Sequence, residues 1–286
     1  MSRKNSTLSK VCVIGWPINH SRSPLIHNYW IKNHGIDALY EKIPVAPENL
    51  TTFITTMRDQ GYVGCNVTIP HKENAIASID QPDHRVKRIG ALNTIFHRDG
   101  KSCATSTDGE GFFQNLISHV PNFSLRDRTV IILGAGGAAR AIVDRLLEEM
   151  AATILIANRT PDRSKQIEQD FGPIVKSIAI ETLEKFLPQA DLLVNTTSLG
   201  MTGHDPLRVD VKLLPKNAVV ADIVYSPLKT DLIKSADNMG LRTAPGLGML
   251  LHQAVRGFEL WFGVKPQVTD ELYDLVARDI DPEYQR

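Results

Sequence analysis

The sequence predicts an α/β protein of two domains, and three observations carry the prediction. Over the first hundred residues, strand-like and helix-like segments alternate in a βαβ rhythm, which builds a mostly parallel sheet. Further on, Thr129-Val-Ile-Ile-Leu133 is a continuous apolar run that leads straight into GAGGAARA. More strand-length apolar runs follow it, ending at Ala157, Asn195 and Asp222. Strands that are apolar throughout, rather than alternating, belong to a parallel sheet buried on both faces.

The elements follow in order. Lys10 to Gly15 is a short apolar run closed by Gly-Trp-Pro, a strand and a turn. Ser23-Pro24 opens a helix, with serine as N-cap and proline at the first helical position. Ala38 to Val45 and Gly64 to Ile69 read as strands, with Pro47 to Gln60 a helix between them. Ile89 to His97 reads as a further strand closing at the turn Asp99-Gly100. A second unit starts near Arg126. Its first strand is Thr129 to Leu133, and Ala138 to Met150 is the helix behind it. Near the C-terminus, Met249 to Phe262 has a strong helical period, with Leu250, Ala254, Phe258 and Trp261 on one face.

Bulk properties exclude several classes of function. The chain has 286 residues, enough for two domains with a core each. Lys+Arg and Asp+Glu are 32 each, so no global charge points to nucleic acid or to a membrane surface. The apolar run VCVIGW behind the basic N-terminal segment is too short for a signal sequence. No run approaches the roughly 20 apolar residues of a membrane span. Cys12, Cys65 and Cys103 are widely spaced without a CxxC pair, which speaks against a disulfide framework and a zinc site. His20 and His27 match no metal spacing and read as packing or solvent residues. A cytoplasmic enzyme or binding protein without a metal is expected.

Gly134, Gly136 and Ala139 fit G-x-G-x-x-A between a strand and a helix. The glycines allow a tight turn, and backbone N–H groups of Gly134, Ala135, Gly136, Gly137 and Ala138 can approach a pyrophosphate at the helix N-terminus. This is a Rossmann-type dinucleotide-binding unit. An NAD enzyme places an acid at the end of the second strand. Here that position reads Asn158-Arg159-Thr160, with Arg163 four residues after Arg159. Two guanidiniums and no carboxylate suit a 2′-phosphate, so NADP is predicted over NAD.

With that loop placed, the remaining motifs become readable. NHSRSPLIHN, GCNVTIPHKE, IGALNT, STDGEGF, GAGGAARA, NRT, NTTSLGM, DIVYSP and GLGMLLHQA stand in the order that shikimate dehydrogenases show them. From about Cys12 to Gly263 the chain resembles that family. The resemblance implies reversible NADPH-dependent reduction of 3-dehydroshikimate to shikimate, on the way to chorismate and the aromatic amino acids. It implies that Ser21 and Ser23 hold the substrate carboxylate, where a helix start also favours an anion. It places Lys72 and Asp108 in the active site as a pair for proton transfer and substrate orientation. Oxidising a secondary alcohol needs a group to take the hydroxyl proton. Lysine has an ordinary pKa of about 10.4, and burial lowers it while a nearby carboxylate raises it. Which of the two carries the proton stays open.

The resemblance also places Asn66, Thr68 and Asn93 on ring hydroxyls and carboxylate, with Tyr225 and Gln253 near the substrate. Thr197, Ile223, Gly246 and Met249 are carried over as cofactor residues; from the sequence alone, Ile223 and Met249 read better as plain core. Two departures are small: Ser106 replaces the asparagine usual before T-D-G, and Trp16 fills a variable position. The rival readings are a quinate/shikimate dehydrogenase using NAD, a non-catalytic sensor, and a folate dehydrogenase. Arg159 and Arg163 count against the first, and the presence of Lys72 and Asp108 against the second. The third has no reason to combine S-x-S-P with T-D-G. Expected boundaries are 1–108 for the substrate domain and 109–245 for the NADP domain, with 246–286 packing back on the first. The active site is expected in the cleft between them, closing on ligands, in a monomer or homodimer.

Overall fold

The computed structural model describes residues 8–286, so the basic segment of the first seven residues lies outside it. The chain divides into two compact units. One runs to Thr107 and includes Ala254–Leu272; the other is Asp108–Gln253 with Tyr273–Arg286. The C-terminal stretch from 246 is therefore shared between them, with 246–253 and 273–286 assigned to the second.

In the first unit the order is β1 (Ser9–Gly15), α1 (Ser23–Asn33), β2 (Ala38–Pro44), α2 (Leu50–Thr56), β3 (Tyr62–Val67), β4 (Gln81–Pro82), α3 (His84–Ile89), β5 (Thr94–Arg98) and β6 (Lys101–Thr105). Its sheet is ordered β2-β1-β3-β5-β6-β4. β1 pairs in parallel with β2 and β3, whereas β5 runs antiparallel to β3 and β6. The antiparallel part comes from the tight hairpin at Asp99-Gly100, both at positive φ as such a turn requires. On the outer edge, Asn28 of α1 takes the backbone groups of Tyr40, donating to its carbonyl and accepting from its N–H at 3.0 Å each. That satisfies an edge strand locally. Cys12, Val67, Leu92, Ile95 and Ala104 centre one core, and all three cysteines are buried and free.

Local expectations fail here where tertiary packing or turn chemistry intervenes. Ile89 ends α3 rather than starting a strand, because Gly90 adopts a left-handed C-cap and the strand begins only at Thr94. Pro47 to Gln60 is a short 3-10 turn followed by α2, which stops at Thr56. Ser23 opens α1 but does not cap it: the N-cap is Arg22, without a side-chain cap. The Ser23 hydroxyl instead accepts from Ser21 Oγ at 3.3 Å, and Ser21 Oγ accepts from the Ser23 N–H at 3.3 Å.

The second unit contains α4 (Asp108–His119), β7 (Thr129–Leu133), α5 (Gly137–Glu148), β8 (Thr153–Asn158), α6 (Pro161–Phe171), β9 (Val175–Ala179), β10 (Leu192–Asn195), β11 (Val219–Asp222), α7 (Asp231–Asn238), β12 (Arg242–Ala244), part of α8 (Leu247–Phe262) and most of α9 (Asp270–Ile280). Its sheet is parallel throughout, ordered β12-β11-β10-β7-β8-β9. This is the doubly wound order, with its switch point between β7 and β10. Val130 and Ile132 face one aliphatic core and Ile131 and Leu133 the other, which is why the run reads as continuously apolar. Among the described residues no helix is long and apolar enough to cross a membrane.

Candidate active site

The two loops at the switch point meet. Gly134 has φ +105°, and a Cβ there would lie 2.7 Å from Thr196 Oγ1 and 3.0 Å from Thr197 Cγ2. Only glycine lets the loop after β7 lie against the NTT segment after β10. Thr196 Oγ1 donates to the Leu133 carbonyl at 2.7 Å, which locks the two loops together. Gly136, in contrast, faces open space, and it caps α5 without any side-chain bond. The first N–H groups of α5 are thus left for an anion, as a dinucleotide pyrophosphate requires.

At the end of β8, Asn158 Nδ2 donates to the Thr160 carbonyl at 2.8 Å and shapes the turn into α6. Arg159 and Arg163 are both exposed, Arg163 in the first turn of α6. No carboxylate occupies the strand end. The residues present fit a phosphorylated ribose.

Further along, Ile223 and Met249 belong to one apolar cluster, beneath the loop that follows β11. Gly246 lies directly on the Ile223–Val224 peptide, where a Cβ would stand 2.5 Å from the Val224 oxygen. Asn115 of α4 pins that stretch by donating to the Pro245 carbonyl at 2.9 Å. Tyr225 is half-buried just after it. Gln253, buried in α8, donates to the Leu250 carbonyl at 3.0 Å.

In the first unit, Ser21, Ser23, Asn66 and Asn93 are all buried, and Thr68 and Lys72 are half-buried. A hydrogen-bonded chain runs through several of them. Tyr40 Oη donates to Asn66 Oδ1 at 2.6 Å, and Asn66 Nδ2 donates to the Asn93 carbonyl (3.1 Å) and to Thr94 Oγ1 (3.2 Å). Thr94 Oγ1 donates to Asn93 Oδ1 at 3.0 Å, and the Thr107 N–H donates to the same oxygen at 2.9 Å. Both Asn66 amide hydrogens are therefore committed, and it can meet a ligand only through Oδ1. His71 Nε2 bonds the Val45 carbonyl at 2.7 Å and the Leu92 N–H donates to the Lys72 carbonyl, so the Lys72 segment is tied down on both sides. Asp108 is buried at the start of α4.

Sequence reasoning missed Tyr40, and it quoted Thr94 and Thr107 within motifs without giving them a role; the bonds from Tyr40 to Asn66 and from Thr107 to Asn93 join residues distant in sequence. It also quoted Asn195 and Asp222 within motifs without giving them a role. The signal was there: each is a polar residue ending an otherwise apolar strand. His27 is the packing residue expected and His20 is exposed. The His27 ring is fully buried, stacked on Tyr40 at 4.3 Å and edge-on to Trp30. Neither ring nitrogen has a hydrogen-bond partner. Burial pushes it down to about 3, against a weak opposing effect of the nearby Asn66 amide.

Comparisons with known proteins point to one family. A family model described as the shikimate dehydrogenase substrate binding domain matches residues 13–95. Models described as shikimate/quinate 5-dehydrogenase and as the shikimate 5′-dehydrogenase C-terminal domain match 116–202 and 246–270. A curated shikimate dehydrogenase (NADP(+)) of Rhodopseudomonas palustris is 49% identical over 97% of this chain and 99% of its own length. That of Nitrobacter hamburgensis is 52% identical over 94% of each. Among solved structures, a shikimate dehydrogenase in complex with NADP+ superimposes with TM-score 0.87 at 35% identity, covering 98% of both chains. The Thermus thermophilus enzyme in complex with NADP(H) and shikimate gives 0.84 at 30%, covering 95% of this chain and 99% of that one. With identity near one half sustained along almost the whole length, and the expected loops found at the switch point of a doubly wound sheet, the chain belongs to the shikimate dehydrogenase family.

Proposed function

We propose that this protein catalyses the reversible NADPH-dependent reduction of 3-dehydroshikimate to shikimate, a step toward chorismate and the aromatic amino acids. The observation that carries the reading is near full-length similarity to relatives named shikimate dehydrogenase (NADP(+)). The phosphate loop and the exposed Arg159 and Arg163 support the choice of NADP. The cofactor supplies a hydride to the ring carbonyl carbon, and the protein must supply the rest. Ser21 and Ser23 hold the carboxylate with two hydroxyls at a helix start. Lys72 and Asp108 orient the reacting oxygen, and one of them gives it a proton in reduction and takes it back in oxidation. Asn66, Thr68, Asn93, Tyr225 and Gln253 read the remaining oxygens. Thr197 contributes to the cofactor site, and Ile223, Gly246 and Met249 line its nicotinamide end. The protein acts in the cytoplasm as a monomer or homodimer.

Initial rates with shikimate and quinate, each against NADP and NAD, test the reading. Shikimate with NADP should lead by a wide margin; comparable quinate turnover with NAD would move the protein to the catabolic branch. A quinate dehydrogenase from Corynebacterium glutamicum in complex with NAD also superimposes, at TM-score 0.85 and 27% identity. Lys72→Ala should lose most of kcat, by about 100-fold or more, with NADPH binding retained. Near-normal turnover in that variant would remove Lys72 from the chemistry.

A further inference from the structure

Asp222 has no part in the reading above, yet its carboxylate is 2% exposed at the end of β11. Three neutral donors converge on it. Asn195 Nδ2 (2.9 Å) and the Val224 N–H (3.0 Å) reach Oδ1, and Thr230 Oγ1 reaches Oδ2 at 2.7 Å. Thr230 is also the N-cap of α7, so three successive parts of the unit meet at one side chain.

The chemistry of the acceptor matters more than its size. An ionised carboxylate can only accept, so Asn195 must turn its Nδ2 toward it. That leaves Asn195 Oδ1 on the other side, where it accepts from the Thr197 N–H at 3.0 Å and from Thr197 Oγ1 at 2.7 Å. A flipped Asn195 would set its amide hydrogens against the Thr197 N–H and lose that bond. Thr197 Oγ1 in turn accepts from the Leu199 N–H at 3.1 Å, so the turn after β10 inherits the same polarity. On its other side, the bond from Val224 fixes the peptide following Ile223, on which Gly246 is packed. Asp222 therefore touches both halves of the cofactor shelf without being placed to touch the cofactor.

We propose that Asp222 is a positioning residue for NADP: through Asn195 it fixes Thr197, and through the Val224 amide it fixes Ile223, so the shelf is set before the cofactor arrives. This rests on Thr197 and Ile223 being cofactor contacts.

The test measures dissociation constants for NADPH and for shikimate separately, together with kcat. Asp222→Ala should weaken NADPH by about tenfold or more and lower kcat, leaving shikimate affinity within about twofold. Asp222→Asn keeps an oxygen for Asn195 and Val224 and offers an N–H to Thr230, whose hydroxyl turns to accept; it should stay within about threefold of the parent. Unchanged NADPH affinity in Asp222→Ala would overturn the proposal, as would an equal loss for both ligands that Asp222→Asn fails to rescue. Should Asp222→Ala not fold, Asn195→Ala cuts the same link to Thr197, and unchanged NADPH affinity there overturns it equally. Thr197→Val separates the two levels of the argument: if it binds NADPH normally, the assignment of the shelf has failed, whatever Asp222 does.

Discussion

Each unit buries a titratable side chain that burial drives toward its neutral form, and the two are housed by different means. In the first, His27 sits among Trp30, Tyr40, Phe258 and Trp261 with no hydrogen bond to either nitrogen. In the second, Asp222 is buried and met by three donors. Both are pushed toward their neutral forms by burial, His27 down to about 3 and Asp222 up to about 6. Three donors pull Asp222 back only part of the way. The comparison teaches that desolvation outweighs neutral hydrogen bonds at such sites. Because one group is a base and the other an acid, the same change of pH acts on the two units with opposite sign.

The largest expected effect comes from His27. Its folded pKa is depressed, so the unfolded chain binds the extra proton; the stability it contributes is complete above pH 6.5 and lost as pH falls toward about 3. Several kcal/mol should disappear over that window. Trp16, Trp30 and Trp261 all lie in the first unit, so tryptophan fluorescence during denaturant unfolding reports on that unit. His27→Phe should flatten the acid slope, and an unchanged slope would break the comparison. Asp222 comes next with the reverse sign. Its folded pKa is raised, so the stability linked to its protonation is present below pH 3.8 and lost as pH rises through about 6. The shift corresponds to about 3 kcal/mol. Asp222→Asn should therefore protect amides of β7 and β11 more strongly than the parent at pH 8, in hydrogen exchange, and about equally at pH 4.

Gly134→Ala sharpens the contrast in another way, by testing backbone rather than charge. At φ +105°, with Thr196 Oγ1 in the path of the new methyl, it should cost about 1–3 kcal/mol and weaken NADPH binding. Calorimetry with and without NADPH reads both. The smallest effect belongs to Trp261→Phe, which removes the 2.9 Å bond from Nε1 to the Ile95 carbonyl and should cost the first unit about 1 kcal/mol. A shift in hydrogen exchange of second-unit amides in that variant would contradict the division into units.

The parts of the fold legible in sequence were those whose burial is uniform. β7, β8, β10 and β11 bury both faces, so each shows as an unbroken apolar run. The turn at Asp99-Gly100 was legible because its backbone demands those residues. What escaped was mixed or marginal: β9 carries Lys176 and Ser177, β12 is three residues long, and α6 and α9 are mostly polar. At the site, the phosphate loop was readable because glycine spacing encodes geometry. The chain from Tyr40 to Thr107 was not, since Tyr40 and Asn66 are 26 residues apart and nothing local marks them as partners.

That chain has a consequence for how the protein can change over evolutionary time. Tyr40, Asn66, Asn93, Thr94 and Thr107 each supply what another lacks, Thr107 through the hydroxyl that accepts from Asn93 Nδ2, so replacing any one strands a buried polar atom on its neighbour. Change at these five positions is therefore expected to be concerted. A new substrate preference is reached more easily by exchanging Thr68, which stands outside the chain, than by altering Asn66, whose loss would have to be matched at Tyr40 and Thr94 in the same lineage.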